Sequence, residues 1–185
     1  MKNCVRCGAA LNDGAAVCPV CGAPQPAVSQ TYDDHVLTET DRFLRYEKLA
    51  WKIKGIVLLA LGVLLFSLGA FAFVFGLAYG AQPMYDYKPM PVIFAFMIIG
   101  MAYMEFAVMY IAMAIVNLIM VNKVSFYQDA LNTDVSVVRK RCGSVGMIVF
   151  GAMFNSIAMA FIIVNFVRTK TNAAAFDRIE AEKKN

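Results

Sequence analysis

Three long apolar runs decide most of what this chain can become. They cover residues 53–81, 92–121 and 145–167, and each exceeds the roughly 20 residues that a helix needs to cross a bilayer. Hydrophobic residues make up 60% of the chain, well above the share of an ordinary soluble domain, and they are concentrated in these runs. The expected fold class is an all-α transmembrane helical bundle of three spans with a small N-terminal metal module. At 1.5 Å per residue the second run reaches about 45 Å, so its cytoplasmic end is expected to protrude from a hydrocarbon core of roughly 30 Å.

The metal module is residues 1–23. Cys4, Cys7, Cys18 and Cys21 form two Cys-x-x-Cys pairs, each followed at once by a glycine, Gly8 and Gly22. Tetrahedral zinc needs four soft ligands at about 2.3 Å, and two tight turns supply them with little chain closure. Glycine permits the positive φ that ends such a turn. Leu11 and Val17 are the main apolar side chains between the pairs, so the module has almost no core and depends on its ion. Two disulfides are the competing use of four cysteines. An apolar segment that begins only near Ile53 is too late to be a cleaved leader, which keeps the module where thiols stay reduced. Four thiolates also make a closed site, so the expected cofactor is structural Zn2+.

Cys-Val-Arg-Cys-Gly at 4–8 and Cys-Pro-Val-Cys-Gly at 18–22, ahead of hydrophobic spans, resemble the zinc-ribbon-headed membrane proteins of bacteria. The resemblance is limited to the N-terminal ribbon. It implies a cytoplasmic zinc-bound head on a membrane anchor and names no activity.

Between ribbon and first span, residues 24–37 contain Pro24, Pro26, Ser29 and Gln30 without a periodic apolar face and read as a linker. Thr38 with Asp41 three residues on resembles a capping signal, and a juxtamembrane amphipathic helix is expected over 38–52. Its apolar face holds Phe43, Leu44, Leu49, Ala50 and Trp51, with Trp51 as an interfacial anchor, and Glu47 falls on the opposite, charged face. Arg42, Arg45, Lys48, Lys52 and Lys54 precede or open the first span, Lys88 is the lone cation of the 82–91 loop, and Lys123, Arg139, Lys140 and Arg141 follow the second span. By the positive-inside rule the N terminus and the 122–144 loop face the cytoplasm, and 82–91 is a short outer loop. The inner loop is expected to break near Asn132, Thr133 and Asp134 and to present Arg139, Lys140 and Arg141 to the anionic leaflet. Three spans put the polar tail, 168–185, outside, although Arg168, Lys170, Arg178, Lys183 and Lys184 argue the other way. The expected location is the cell's inner or plasma membrane.

Glu105 lies mid-way along the second run. Depth counting places Ser67, Asn155 and Ser156 at a similar level, so the four are expected to meet in one hydrogen-bonded polar layer. Ala72, Gly76 and Gly80 in the first run and Ala152, Ser156 and Ala160 in the third recur every four residues and are expected to pack on each other. No phosphate loop or nucleophile with a positioned base is present, and His35 stands in the linker, so no enzymatic activity is expected. Lys2 and Arg6 against Asp13 make a weak nucleic-acid surface. The expected function is a membrane-anchored protein-interaction or assembly module. Its partners would be the lipid bilayer, a protein bound through the ribbon and a second copy of the chain. A small transporter or channel subunit using Glu105 is the alternative.

Overall fold

The computed structural model of the protein describes residues 2–12, 15–25, 28–81 and 90–184. The readings on Asp13, on Pro26 and on Lys88 of the outer loop lie outside the described residues. Two short strands, β1 (Lys2–Asn3) and β2 (Ala10–Leu11), belong to the ribbon. Six helices follow: α1 (Val28–Ala81), α2 (Met90–Thr133), α3 (Val135–Cys142), α4 (Val145–Phe154), α5 (Ser156–Thr171) and α6 (Ala173–Lys184).

Helix α1 is longer than the sequence suggested. The linker, the juxtamembrane helix and the first span join in one rod of 54 residues, about 80 Å at 1.5 Å per residue. Thr38 does not cap it, because its hydroxyl donates to the Asp34 carbonyl one turn back. The early turns are held by tertiary contacts. Tyr32 donates to Asn172 at 2.6 Å, Asp33 accepts two bonds from Arg178, and Val36 is buried among Val135, Ala175, Phe176 and Ile179. Such packing outweighs a weak local preference.

Helix α2 runs antiparallel to α1 along a seam of glycines at 55, 62, 69 and 76, a strict seven-residue spacing. A repeat of seven keeps one stripe facing a neighbour along a wrapped pair. The helices come closest where Gly69 meets Gly100. A Cβ on either would stand 2.7 Å from the other's carbonyl oxygen. A Cβ on Gly62 would lie 2.6 Å from Ile111 Cγ1, and Gly76 sits against Ile93, Phe96 and Met97. The small-residue face of α1 therefore packs on α2 and not on the third apolar run. Away from the seam, Phe71, Val74, Ile98 and Val108 are exposed.

The third run is not one helix. Asn155 adopts an extended conformation and separates α4 from α5, so the expected span 145–167 is broken into pieces of 10 and 16 residues. Its backbone N–H closes α4 on Gly151 O at 2.7 Å, and its side chain opens α5 by accepting from Ala158 N at 3.1 Å. The two helices fold on each other, with Gly151 3.1 Å (as a built Cβ) from Met159 Cα. Among the described residues, two helices, α1 and α2, are long and apolar enough to cross a membrane.

From this elbow α5 runs back along the first half of α1. Asn155 donates to Ala50 O at 3.0 Å, Phe161 lies 5.7 Å from the Tyr46 ring, and Arg168 reaches Glu39 at 3.3 Å. Helix α6 then joins Arg178 to Asp33, Asp177 and Glu180 to Arg139, and Lys183 to Leu131 O. The tail thus lies at the end where α1 begins and α2 finishes. These contacts hold α5 and the tail beside residues 33–50 of α1.

The main core sits at this same end, built from Leu44, Trp51, Met120, Val124, Leu131, Val138, Cys142 and Ile162. Trp51 is fully buried, 5.9 Å from the Phe150 ring, and does not act as an interfacial anchor. Glu47, expected on a polar face, is also fully buried and receives bonds from Trp51 Nε1 and both terminal nitrogens of Arg141. Arg141 in turn lies over the Tyr127 ring at 4.8 Å. Burial opposes its charge, but the Glu47 carboxylate more than offsets this and raises its pKa. The expected leaflet-facing trio is therefore divided: Arg141 is buried, Arg139 pairs with α6, and Lys140 is exposed. Burial pushes the Cys142 thiol up to about 11, which fits an inert core residue. Asp134 caps α3 by accepting from Ser136 N at 3.0 Å, at the expected break.

Two outcomes follow for stability in detergent. Gly69→Ala should cost about 1–3 kcal/mol by forcing the backbones apart, whereas Gly80→Ala, whose Cβ meets Ile93 at an ordinary 3.4 Å, should be near neutral. Thermal denaturation of the two variants checks this, and equal losses would contradict the seam. Arg141→Met alone should cost about 3–5 kcal/mol by stranding Glu47, and Glu47→Leu added to it should recover much of the loss; denaturant midpoints of the single and double variants measure the coupling.

Candidate metal centre

The ribbon is built from two nearly identical halves fourteen residues apart. In the first, Cys4 N bonds Ala9 O at 2.8 Å and Gly8 N bonds Cys4 O at 2.9 Å; in the second, Cys18 N bonds Ala23 O and Gly22 N bonds Cys18 O, both at 2.9 Å. Gly8 and Gly22 have φ of 75° and 68°, the left-handed conformation that ends each turn and that a side chain would strain. The pairing of Asn3 with Ala10 in the β1–β2 ladder recurs as a bridge between Val17 and Pro24. These turns aim four thiols at one point.

The fit to a metal can be tested on sulfur spacing. Four thiolates at about 2.3 Å from a tetrahedral ion stand about 3.8 Å from each other. Cys4 and Cys21 Sγ are 3.5 Å apart, Cys7 and Cys18 Sγ are 3.7 Å apart, and all four atoms lie within 4.8 Å of one another. None is in a disulfide. Cys4 and Cys18 are buried with Leu11, and Cys7 is exposed. The four residues fit structural Zn2+, which would supply the cross-link that this small core lacks.

The thiols are electrostatically unequal. Burial pushes the Cys4 thiol up, but hydrogen bonds from the Arg6 and Cys7 amides and from neighbouring thiols outweigh it and bring the pKa down to about 6. Cys21 is helped by the Ala23 amide, yet burial and the three surrounding thiols drive it up to about 12. Cys7 is also raised: the Ala9 amide and Cys21 pull it down, but Cys4, burial and Cys18 outweigh them. Metal binding must therefore displace protons.

In comparison with known families, residues 3–25 match the zinc-ribbon domain. Neither a curated protein nor a solved structure matches the chain. The ribbon and the two apolar helices together fit a membrane-associated zinc-binding protein.

The expected polar layer is not assembled. Ser67 is exposed and donates to Val63 O of its own helix at 2.9 Å, Glu105 and Ser156 are exposed, and only Asn155 is buried. Asn155 bonds instead to Asn117 Oδ1 at 3.1 Å and to Ala50 O. Counting residues from the end of a run assumes a straight helix, and the break at Asn155 invalidates the count. Sequence reasoning missed Asn117, which is fully buried on α2 and whose amide also donates to Met113 O at 2.8 Å. It also missed Gln25, which reaches across the ribbon: Gln25 Oε1 accepts from Val5 N at 3.1 Å, and Nε2 donates to Cys4 Sγ at 3.2 Å. The fourteen-residue repeat, which sets Gln25 opposite Leu11, was the available signal.

Purified protein should carry one zinc per chain, and Cys18→Ser should release it and unfold the head while the helices remain. Since the raised Cys7 and Cys21 thiols hold protons that the ion displaces, occupancy should fall on acidification from about pH 8 to about pH 5. Metal analysis across that range checks both; occupancy unaffected by Cys18→Ser would remove the site.

Proposed function

We propose that the protein is a membrane-anchored interaction module: α1 and α2 cross the bilayer, and the zinc ribbon presents a binding surface to a protein partner at the cytoplasmic face. The observation that carries the reading is the ribbon's own surface. Val5, Val17 and Val20 are 71, 55 and 73% exposed, and Val5 and Val20 each lie inside one of the two Cys-x-x-Cys turns. A module with so few apolar residues that leaves three of them in solvent is suited to contact. A closed four-thiolate site leaves no position for substrate, and the reading is non-enzymatic.

The apolar portions of α1 and α2 supply the anchor. Their lower ends, with α3 and α6, form a polar-rimmed bundle at the interface, and the α4–α5 hairpin enters from that side and returns to it. Its two helices are each shorter than a crossing, and the contacts of α6 with Asp33 and Leu131 support an even number of crossings. The cations of 168–184 then obey the positive-inside rule together with those of 42–54. For transport through Glu105, no observation speaks in favour, because its side chain lies on the outer surface, apart from the buried Asn117–Asn155 pair.

Val5→Asp with Val20→Asp should keep zinc and abolish copurification of protein partners in mild detergent, and an unchanged partner profile would count against the ribbon as the contact surface. A reporter that fluoresces only in the cytoplasm, fused after Asn185, should be bright; a dark fusion of full length would restore the odd number of crossings.

A further inference from the structure

One of the equivalent pairs at which the two halves of the ribbon differ sets a hydrocarbon against an amide beside the thiols. Fourteen residues separate Cys4 from Cys18, Ala9 from Ala23 and Leu11 from Gln25. Leu11 is 4% exposed and packs against the buried sulfurs of Cys4 and Cys18. Gln25 is also buried, at 9%, and places an amide where the first half has a hydrocarbon. Its Nε2 is shared between Cys4 Sγ at 3.2 Å and Ala23 O at 3.0 Å, while Oε1 takes the Val5 N–H and the backbone N–H bonds Ala16 O at 2.8 Å. The three side-chain bonds pin one rotamer and the backbone bond holds the residue in place, so the donor is fixed in advance.

We infer that Gln25 is the positioning residue that retains zinc, by donating a side-chain hydrogen bond to the Cys4 thiolate and locking the second half of the ribbon onto the first. An N–H aimed at a thiolate takes up part of its charge and makes it a poorer base and nucleophile, so a proton or chelator competes less well for the ligand. Cys4 also accepts from Arg6 N at 3.5 Å. The corresponding thiol, Cys18, faces Leu11 and has no side-chain N–H donor among the described residues. Cys4 is therefore the fastened end of the site, and ligand exchange begins among the other three, of which Cys7 is the most exposed.

The test uses full-length protein in detergent, loaded with zinc and challenged with a chromogenic chelator in excess. Gln25→Leu, which copies the first half, should release zinc about 10- to 100-fold faster than wild type. Gln25→Glu keeps an oxygen for Val5 N but has no N–H for sulfur, and it should release zinc at least as fast. It separates the donor from the stitch. With cobalt(II) in place of zinc, both variants should shift the thiolate-to-metal charge-transfer band while keeping its tetrahedral pattern, which reads the change at sulfur without dependence on release. Wild-type release from Gln25→Glu together with an unshifted band would overturn the inference, as would wild-type release from Gln25→Leu.

Discussion

Everything outside the ribbon depends on how closely α1 and α2 approach at Gly69 and Gly100. In the bilayer setting proposed for them, two helices gain nothing from hiding apolar side chains, since lipid is an equally good solvent for them. What remains is contact between backbones, and that requires residues without a Cβ. The glycines at 55, 62, 69 and 76 extend this contact along the second half of α1 and fix the register of α2 against it. With the register fixed, Ala50 and Asn117 come level, and the carbonyl and amide that receive Asn155 are both in place.

The second half of the structure is governed by the opposite chemistry. Glu47, Arg141, Asn117 and Asn155 are all buried, and each bonds to partners from other helices or from the turns around it, with Arg141 Nε alone among their side-chain nitrogens and oxygens left without a hydrogen-bond partner among the described residues. Such groups add little net stability over hydrocarbon packing, but they are costly when misplaced, so they select one arrangement of α3, α4 and α5 among several that an apolar core would tolerate. Asn155 carries three tasks. It stops one helix, starts the next and ties the turn to α1 and α2, which is why a run that hydropathy reads as continuous is divided there.

How much of this was legible in the sequence varies with the range of the interaction. The ribbon was legible because its ligands and glycines lie within a few residues of each other. The N-cap at Asp134 was legible for the same reason. The hairpin was not: Asn155 and Ser156 interrupt an apolar run, yet hydropathy averages over them, and the partners that stabilise the break lie 38 and 105 residues away. Charge was equally misleading where it was paired at long range, because Glu47 and Arg141 each look like surface residues beside lysines and arginines. The seven-residue spacing of the glycines at 55, 62, 69 and 76 is visible in the sequence, but the expectation rested on the four-residue spacing of Ala72, Gly76 and Gly80, which pointed α1 toward the wrong neighbour.

The contacts of α6 also set a timetable. Arg178 meets Asp33 across 145 residues of chain, and Arg168 meets Glu39 across 129. A ribosome at about 5–20 residues per second needs several seconds to make the intervening sequence. Once residue 118 is made, α1 and α2 have all the residues of their seam, whereas Asp33 and Glu47 still wait for Arg178 and Arg141. The nascent chain therefore can pair its two long apolar helices before the long-range ion pairs of its polar end can form.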